Sequence, residues 1–145
     1  MYNTAMNDRE VGPAEAIGSL LGAAHALEDR VETALASVGL SGAKLGVLTH
    51  LANAGEPITL GELAARVNCV RSNVTQLVDR LEADGLVRRV DNAKDRRSVR
   101  AELTPEGKAR YKAGTKQMEK VHEEFAASMP AAERAALRRA LSLLK

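Results

Sequence analysis

Apolar residues recur along the first part of the chain with the spacing of one face of a helix. From Ala14 to Val38 they fall three or four positions apart, which predicts a long amphipathic helix. Gly39 is expected to end it. A second helix should run from about Ser41 to Asn53, where the sequence NAGEP interrupts the pattern. The apolar residues of the two segments are Ile17, Leu20, Leu21, Ala24, Leu27, Val31, Leu35, Val38, Leu45, Val47, Leu48 and Leu51.

The middle of the chain has the pattern of a helix-turn-helix. Thr59 and Glu62 stand in the Thr-x-x-Glu arrangement that starts a helix, here the short segment LGELAARV. After the turn NCV, apolar residues recur at helical spacing through RSNVTQLVDRLEAD, and Gly85 is expected to end that helix. Two short helices joined by a brief turn constitute a helix-turn-helix. The buried face of the second helix should comprise Val74, Leu77, Val78 and Leu81.

Two stretches of alternating apolar and polar residues follow Gly85. LVRRV and SVRAEL each predict a strand with one buried face, and DNAKDRR is the loop between them, so the pair forms the hairpin called a wing. Between Leu86 and Arg100 the hairpin carries six Lys or Arg residues and two Asp residues. It is either a solvated turn or a device for contacting phosphate groups.

The last part of the chain predicts two further helices. Thr104, Pro105 and Glu106 are the residue types expected at the N-cap, the first position and the first turn of a helix. This helix should run to about Met129, and a final helix should extend from Pro130 to the end. Their apolar residues are Tyr111, Met118, Val121, Phe125, Met129, Leu137, Leu141 and Leu144.

The predicted fold class is mainly α with a small β-hairpin wing. We expect one domain over residues 1–145, in which residues 41–103 form a winged helix-turn-helix. The flanking segments, residues 14–38 and 105–145, are long amphipathic helices that a small winged core cannot cover. Exposed apolar faces of that extent normally bind a partner, so we expect a homodimer, the simplest closed assembly, to form through these helices.

Composition narrows the class of protein. With 145 residues and 45% hydrophobic residues, the chain can bury a core of its own. No apolar run approaches the roughly 18 residues of a membrane-spanning helix and no secretion signal is apparent, so we expect a cytoplasmic protein without a membrane partner. The single cysteine excludes an internal disulfide. The chain has only two Tyr, one Phe and no Trp. It therefore lacks the aromatic platform that binds single strands, and any nucleic-acid partner should be double-stranded.

The charge is unevenly distributed, although the formal net charge is only +2. Residues 1–65 carry three basic and eight acidic groups, residues 66–100 carry nine and five, and residues 101–145 carry nine and six. Positive charge is therefore concentrated around the wing. Charges act on a polyanion over about 10 Å, the Debye length, so this local excess favours contact with nucleic acid.

The second helix of the motif carries side chains suited to reading bases on the face opposite its apolar residues. They cluster at the start of the helix, where a recognition helix contacts the major groove. Arginine can bond guanine, asparagine or glutamine can bond adenine, and threonine can contact the thymine methyl group. The alternative is an ordinary solvated face. The candidate residues are Arg71, Ser72, Asn73, Thr75 and Gln76.

The loop DNAKDRR offers a second candidate contact with DNA. A hairpin of this kind can lower Arg96 and Arg97 towards the minor groove. Lys94 and Arg100 would then meet phosphates. Asp95 at the tip cannot itself attract DNA, so we interpret it as orienting a neighbouring arginine or the loop backbone.

The segment LVDRLEADGLVRRVDNAKDRRSVRAELTPEG contains L-V-x-R-L-E, G-L-V-x-R, D-x-R and L-T-x-x-G in that order. It resembles the MarR-type (multiple antibiotic resistance regulator) transcription factors. The resemblance implies a triangular homodimer with intertwined first and last helices and two winged heads on a pseudo-palindromic operator. It also implies that Arg97 enters the minor groove, and that the residues in the major groove are Ser72, Asn73, Thr75 and Gln76. Many such proteins are repressors released by small phenolic or aromatic-acid ligands bound between the dimer helices and the winged head.

The turn before the recognition helix departs from the MarR-type pattern at Cys69 and Val70. Val70 replaces the usual Ser or Thr and cannot cap the helix, so Asn68 or Ser72 should substitute. We interpret Cys69, where apolar Val is common, as a small buried residue. The alternative is a redox switch, since a helix N-terminus and Arg71 would favour the thiolate.

A few polar residues remain on apolar faces of the predicted helices. His25, His50 and Tyr111 are the candidates for contacting an effector. His25, His50 and His122 lie on three different helices without metal-ligand spacing, so no metal or other cofactor is expected, although folding can bring distant ligands together. The sequence GLSGA, residues 39–43, lacks the last glycine of a nucleophile elbow and follows a helix, so no enzyme is expected. The alternatives to a DNA-binding regulator of this kind are a winged-helix protein-interaction module and a redox- or metal-responsive regulator.

Overall fold

The computed structural model describes residues 9–67, 71–92, 94–95 and 97–145, without the side chains of residues 71 and 72. The predictions made for Asn68, Cys69, Val70 and Arg96 therefore lie outside the described residues. In the described ranges the chain forms α1 (Pro13–Ala36), α2 (Gly42–Ala54), β1 (Ile58–Thr59), α3 (Leu60–Arg66), α4 (Arg71–Ala83), β2 (Val87–Asp91), β3 (Val99–Leu103), α5 (Pro105–Ser128) and α6 (Ala131–Ser142).

The helices begin at the capping residues that the sequence indicates. The side chain of Thr59 accepts a hydrogen bond from the backbone N–H of Glu62 at 3.1 Å, which starts α3. Thr104 accepts one from the N–H of Gly107 at 3.0 Å, with Pro105 in the first turn of α5. Each bond satisfies a backbone donor that has no partner inside the helix. The predicted helix starts at these positions are confirmed.

Three glycines among the described residues follow helices in the left-handed conformation, and two of them, Gly39 and Gly85, were predicted to end helices. Gly39, after α1, has φ +71°, and Gly85, after α4, has φ +76°. In each case the residue after the glycine donates its N–H to a carbonyl five residues back, as Leu86 does to Leu81 at 2.9 Å. A residue with a Cβ is strained in this conformation, so both stops depend on glycine. The structure confirms both predicted helix ends.

The chain divides after Arg30 into two compact units. In the first unit, Arg9 and Glu15 form an ion pair, and His25 Nε2 lies 3.7 Å from a carboxylate oxygen of Asp29. The apolar side chains of this unit are exposed in the single chain. The large exposed ones are Val11, Ile17, Leu20, Leu21 and Leu27.

The core of the second unit lies beneath the helix-turn-helix. The inner face of α4 is buried as the helical spacing predicts, with Val74, Val78 and Leu81 fully enclosed and Leu77 partly enclosed. Burial of these side chains holds α4 against the rest of the unit because it removes apolar surface from water. The other main contributors are Leu35, Val47, Leu48, Leu51, Leu63, Leu86, Val87 and Ala101.

The sheet has three strands rather than the two that the alternating pattern predicts. The order is β1-β3-β2, and both pairings are antiparallel. Ile58 pairs with Ala101, and Val87 pairs with Leu103. With only two residues, β1 is too short to show a repeat in the sequence, which is why the two-stranded expectation was incomplete. The extra strand attaches the start of α3 to the wing.

The first half of α5 packs tightly against the rest of the second unit at two glycines, Gly107 and Gly114. Together with Val121 in the second half, these glycines are the buried residues of α5. A Cβ on Gly107 would lie 1.9 Å from the carbonyl oxygen of Leu86. The segment predicted to serve dimerisation, residues 105–145, lies wholly within the second unit, and the first half of α5 packs into that unit's core.

Candidate DNA-binding surface

The exposed face of α4 presents polar side chains on a firmly held helix. Asn73 and Gln76 are exposed, while Val74 and Val78 beside them are buried. Asn73 and Gln76 are three positions apart, so they lie one above the other on the same face. Thr75 is partly buried. Of the candidate base-reading residues whose side chains are described, Asn73 and Gln76 are the most accessible.

The tip of the wing is shaped by hydrogen bonds from side chains to its own backbone. The carboxylate of Asp95 accepts the N–H of Arg97 at 2.9 Å, and the side-chain oxygen of Asn92 accepts the N–H of Lys94 at 3.1 Å. Short polar side chains often stabilise turns in this way. Of the two orienting partners proposed for Asp95, the structure shows a bond to the loop backbone.

Two basic side chains at this tip form no ion pair within the described residues. Lys94 and Arg97 are exposed, and neither forms an ion pair with any side chain in the ranges that the structure covers. Their charges are therefore available to a partner. Arg96, which was also predicted to approach the minor groove, lies outside the described residues.

Three of the basic residues of the wing, Arg88, Arg89 and Arg100, form hydrogen bonds within the protein. Arg88 Nε donates to a carboxylate oxygen of Glu102 at 2.6 Å on the outer face. Arg100 donates from a terminal nitrogen to the carbonyl oxygen of Asp91 at 3.1 Å, and its contact with phosphate stays a prediction. Arg89 points to the opposite face from Arg88, because successive strand residues alternate in direction. All three arginines thus already have hydrogen-bond partners within the protein.

Arg89 connects the wing to α4. Its guanidinium bonds both Glu82, at 3.0 Å, and Asp79 on α4. Partial burial opposes its charged form, but the hydrogen bonds and charges of Asp79 and Glu82 outweigh that effect and raise the pKa of Arg89 above its usual value. This role was not predicted from the sequence. The position of Arg89 two residues after the buried Val87 would have placed it on the inner face.

A cleft of about 400 Å³ lies at the end of α2, beside β3 and α5. Tyr111 lines it together with Lys108 and Lys112, two residues that were not predicted to contact an effector. His50 is partly buried on α2 and is not among the lining residues. His25 is exposed in the first unit. The remaining lining residues are Leu51, Ala52, Gly55, Glu56, Pro57, Glu102 and Leu103.

Metal-binding and membrane-spanning features are absent from the part of the chain that the structure describes. The residues there contain no group of three or more His, Cys, Asp and Glu side chains placed to hold a metal ion. None of the helices in the same ranges combines the length and the apolar character needed to cross a membrane. The interpretation of Cys69 as a packing residue stays a prediction.

Comparison with known proteins decides the family. A family model described as MarR family matches residues 38–98, from the end of α1 to the wing. The HTH-type transcriptional repressor YetL of Bacillus subtilis (strain 168) is 35% identical over 102 residues. The chain belongs to the MarR family. The alignment with YetL covers 70% of this chain and 61% of YetL, so the chain spans about three fifths of that relative's length.

Two solved structures share the fold over most of the chain. The transcriptional regulator MOSR of M. tuberculosis, solved in complex with DNA, is 29% identical with a TM-score of 0.70 and covers 89% of this chain and 92% of its own. BpsR of Bordetella bronchiseptica, whose DNA binding is regulated by 6-hydroxynicotinic acid, has a TM-score of 0.73 at 24% identity and covers 90% of this chain and 98% of its own. The winged helix-turn-helix fold and the resemblance in the sequence motifs are thus confirmed.

Proposed function

We propose that the chain is a sequence-specific regulator of transcription that binds duplex DNA as a homodimer in the cytoplasm, and that a small-molecule effector releases it from its operator. The observation that carries this proposal is the pairing of two exposed surfaces in one packed unit. Asn73 and Gln76 stand on the anchored helix α4, and Lys94 and Arg97 stand unpaired, among described residues, at the wing tip. Groups that read bases and groups that attract phosphate thus occur together.

The two surfaces would divide the work of recognition. The start of α4 would enter the major groove, where an amide side chain can make two hydrogen bonds with adenine. Arg71, Ser72 and Thr75 are further candidates on this helix. The wing tip would meet the backbone and the minor groove through Arg97, with Lys94 and Arg96 beside it. The base contacts would supply specificity, and the wing would supply sequence-independent affinity.

Selection of duplexes from a random pool by the purified protein tests this function. We expect recovery of one preferred sequence arranged as an inverted repeat, because a two-fold symmetric dimer presents two equivalent helices α4. A protein that retains all duplexes equally would lack sequence specificity. A protein that retains none would support the alternative, a winged-helix module that binds proteins.

The homodimer is proposed because each unit has apolar side chains that the single chain leaves exposed. Ile17 and Leu21 in the first unit are more than half exposed, and so are Leu143 and Leu144 near the end of the chain. Burial of such surfaces against a second copy would be favourable. We therefore expect sedimentation at low micromolar concentration to show one species of twice the 15.5 kDa chain mass.

A matched pair of variants in the first unit checks this assignment. Leu21→Glu places a carboxylate on the proposed dimer surface, whereas Ser19→Glu adds the same charge to a polar exposed position of α1. Leu21→Glu should shift the sedimenting species towards the monomer, and Ser19→Glu should leave it dimeric. A folded wild-type monomer at the same concentration would contradict the assignment.

We place the effector in the cleft beside α5. Tyr111 there offers a ring and a hydroxyl, while Lys108 and Lys112 offer positive charge. This combination suits a small aromatic acid or phenol, since a ring can pack on Tyr111 while an anionic group meets a lysine. His25 and His50 remain further proposed contacts, on α1 and α2.

Titration with hydroxybenzoate tests the effector site. The ligand should weaken operator binding by the wild type, and Tyr111→Ala should remove this response without changing operator affinity in the absence of ligand. Lys116→Ala, an exposed change further along α5, serves as the control and should respond as the wild type does. An unchanged response in Tyr111→Ala would place the ligand elsewhere.

A further inference from the structure

Arg89 lies on the inner face of the wing sheet, although it belongs to a run of two arginines. Its partner across the strands, Ala101, is fully buried, and residues directly opposite on an antiparallel pair point to the same face. The side chain of Arg89 is 26% exposed, against 61% for Arg88. The two neighbouring arginines therefore face different surroundings.

Three donors of Arg89 hold the second half of α4. The guanidinium bonds a carboxylate oxygen of Asp79, and its other terminal nitrogen donates to Glu82 Oε1 at 3.0 Å. The backbone N–H of Arg89 donates to Glu82 Oε2 at 3.0 Å. Asp79 and Glu82 are three positions apart and thus on one face of the helix. A planar guanidinium can bond two carboxylates in fixed directions, which restricts rotation and sliding of α4 against β2.

The two elements that Arg89 joins carry the two proposed DNA contacts. Asn73 and Gln76 lie on the same rigid helix as Asp79, and β2 leads directly into the wing tip with Lys94 and Arg97. If the angle between α4 and the hairpin changed, the residues of α4 and those of the wing tip could not both keep their contacts with the same DNA site. Recognition of one operator by both sets requires that this angle be held.

We propose that Arg89 is a positioning residue for DNA recognition, which joins α4 to the wing through Asp79 and Glu82 and thereby sets sequence specificity without touching DNA. This inference rests on the proposed function. It separates Arg89 from the phosphate-contacting arginines of the wing. Loss of Arg89 should reduce discrimination between operator and random DNA more than it reduces general affinity.

Substitutions of Arg89 and of its partner Glu82 distinguish loss of this contact from a general effect of changed net charge on DNA binding. Arg89→Gln and the control Arg88→Gln remove the same charge from adjacent positions. Glu82→Ala has the opposite effect on net charge but breaks the same connection. We expect both Arg89→Gln and Glu82→Ala to lower the operator-to-random affinity ratio by about tenfold, comparable to loss of one good base contact. Arg88→Gln should keep the wild-type ratio.

The outcomes separate the alternatives. Wild-type ratios in both Arg89→Gln and Glu82→Ala would overturn the proposal, and so would an equal fall in Arg88→Gln. The salt dependence of binding should remain that of the wild type in all three variants, since none of these residues is assigned a phosphate contact. A smaller salt slope in Arg89→Gln alone would show direct contact with phosphate and overturn the proposal as well.

Amide hydrogen exchange measured without DNA tests the positioning role of Arg89 even if the protein binds no operator. It also requires a check that each variant is folded. Circular dichroism first establishes that each variant is folded. Amides of α4 and of residues 87–103 should then exchange faster in Arg89→Gln and in Glu82→Ala than in Arg88→Gln, because the connection that restrains both elements is lost. Equal exchange in the three variants would overturn the positioning role. If the wild type selects no operator, the proposed function fails and this comparison alone decides whether Arg89 holds α4 to the wing.

Discussion

Replacement of Gly107 by alanine should destabilise the protein by about 3 kcal/mol, at the upper end of the cost of overpacking a core. The added Cβ would lie 1.9 Å from the carbonyl oxygen of Leu86 and 2.9 Å from its carbon. Both atoms belong to the backbone, and the same oxygen accepts the N–H of Thr104 at 3.1 Å. The start of α5 would have to move away from the junction between α4 and β2. Chemical denaturation at fixed protein concentration measures the loss in the free energy of unfolding.

Two other glycine substitutions serve as comparisons for the loss of stability expected in Gly107→Ala. A Cβ on Gly114 would lie 2.8 Å and 2.9 Å from terminal methyl carbons of Leu40 and Leu45, which can move more easily than backbone, so Gly114→Ala should cost less than Gly107→Ala. Gly46 is helical, and a Cβ added there would meet no other atom within 4 Å. Gly46→Ala should stabilise by about 0.5 to 1 kcal/mol through helix propensity. Wild-type stability in Gly107→Ala would contradict the close approach of α5.

Replacement of Arg97 by alanine should weaken binding to every duplex. Arg97 is exposed, and its backbone N–H, bonded to Asp95, helps to shape the wing tip. If its guanidinium enters the minor groove beside phosphates, the slope of log affinity against log salt should fall by about one per wing. Operators rich in A·T beneath the wing should be affected most, because a narrow minor groove attracts arginine. Arg88→Ala, which removes the same charge from a residue already paired with Glu102, should have the smaller effect.

Replacement of Asn73 by alanine should act on specificity instead. Loss of a bidentate base contact should cost about 1 to 3 kcal/mol on the operator and little on random DNA, and the salt slope should stay unchanged. Fluorescence titrations at several salt concentrations distinguish the two variants. Binding of operator and random duplexes by Arg97→Ala as tightly as by the wild type would make the charged hairpin only a solvated turn.

The helical framework could be predicted from local sequence because its causes are local. The N-caps Thr59 and Thr104 and the stops Gly39 and Gly85 act through hydrogen bonds and backbone angles within a few residues. The buried face of α4 followed from helical spacing alone. The strand β1 could not be predicted, because a two-residue strand exists only through its pairing with β3.

The residues of the candidate DNA-binding surface could be predicted from the sequence. Their hydrogen-bond and ion-pair partners could not. Asn73 and Gln76 were expected on an exposed face, and the structure shows them exposed. The sequence shows how many basic residues the wing carries, but it does not show which of them form ion pairs within the protein. Whether an arginine forms an ion pair depends on carboxylates that are distant along the chain, as Glu102 is from Arg88.

The sequence by itself determined the order of the helices, their ends, the wing and the family, because each of these is encoded by periodicity, capping residues or short motifs. Tertiary structure alone decided three further features. It paired β1 with β3, brought Gly107 against the carbonyl of Leu86, and brought the carboxylates of Asp79 and Glu82 to Arg89. The physical reason is common to the three: each is an interaction between segments separated along the chain, and its existence depends on where folding places the second partner.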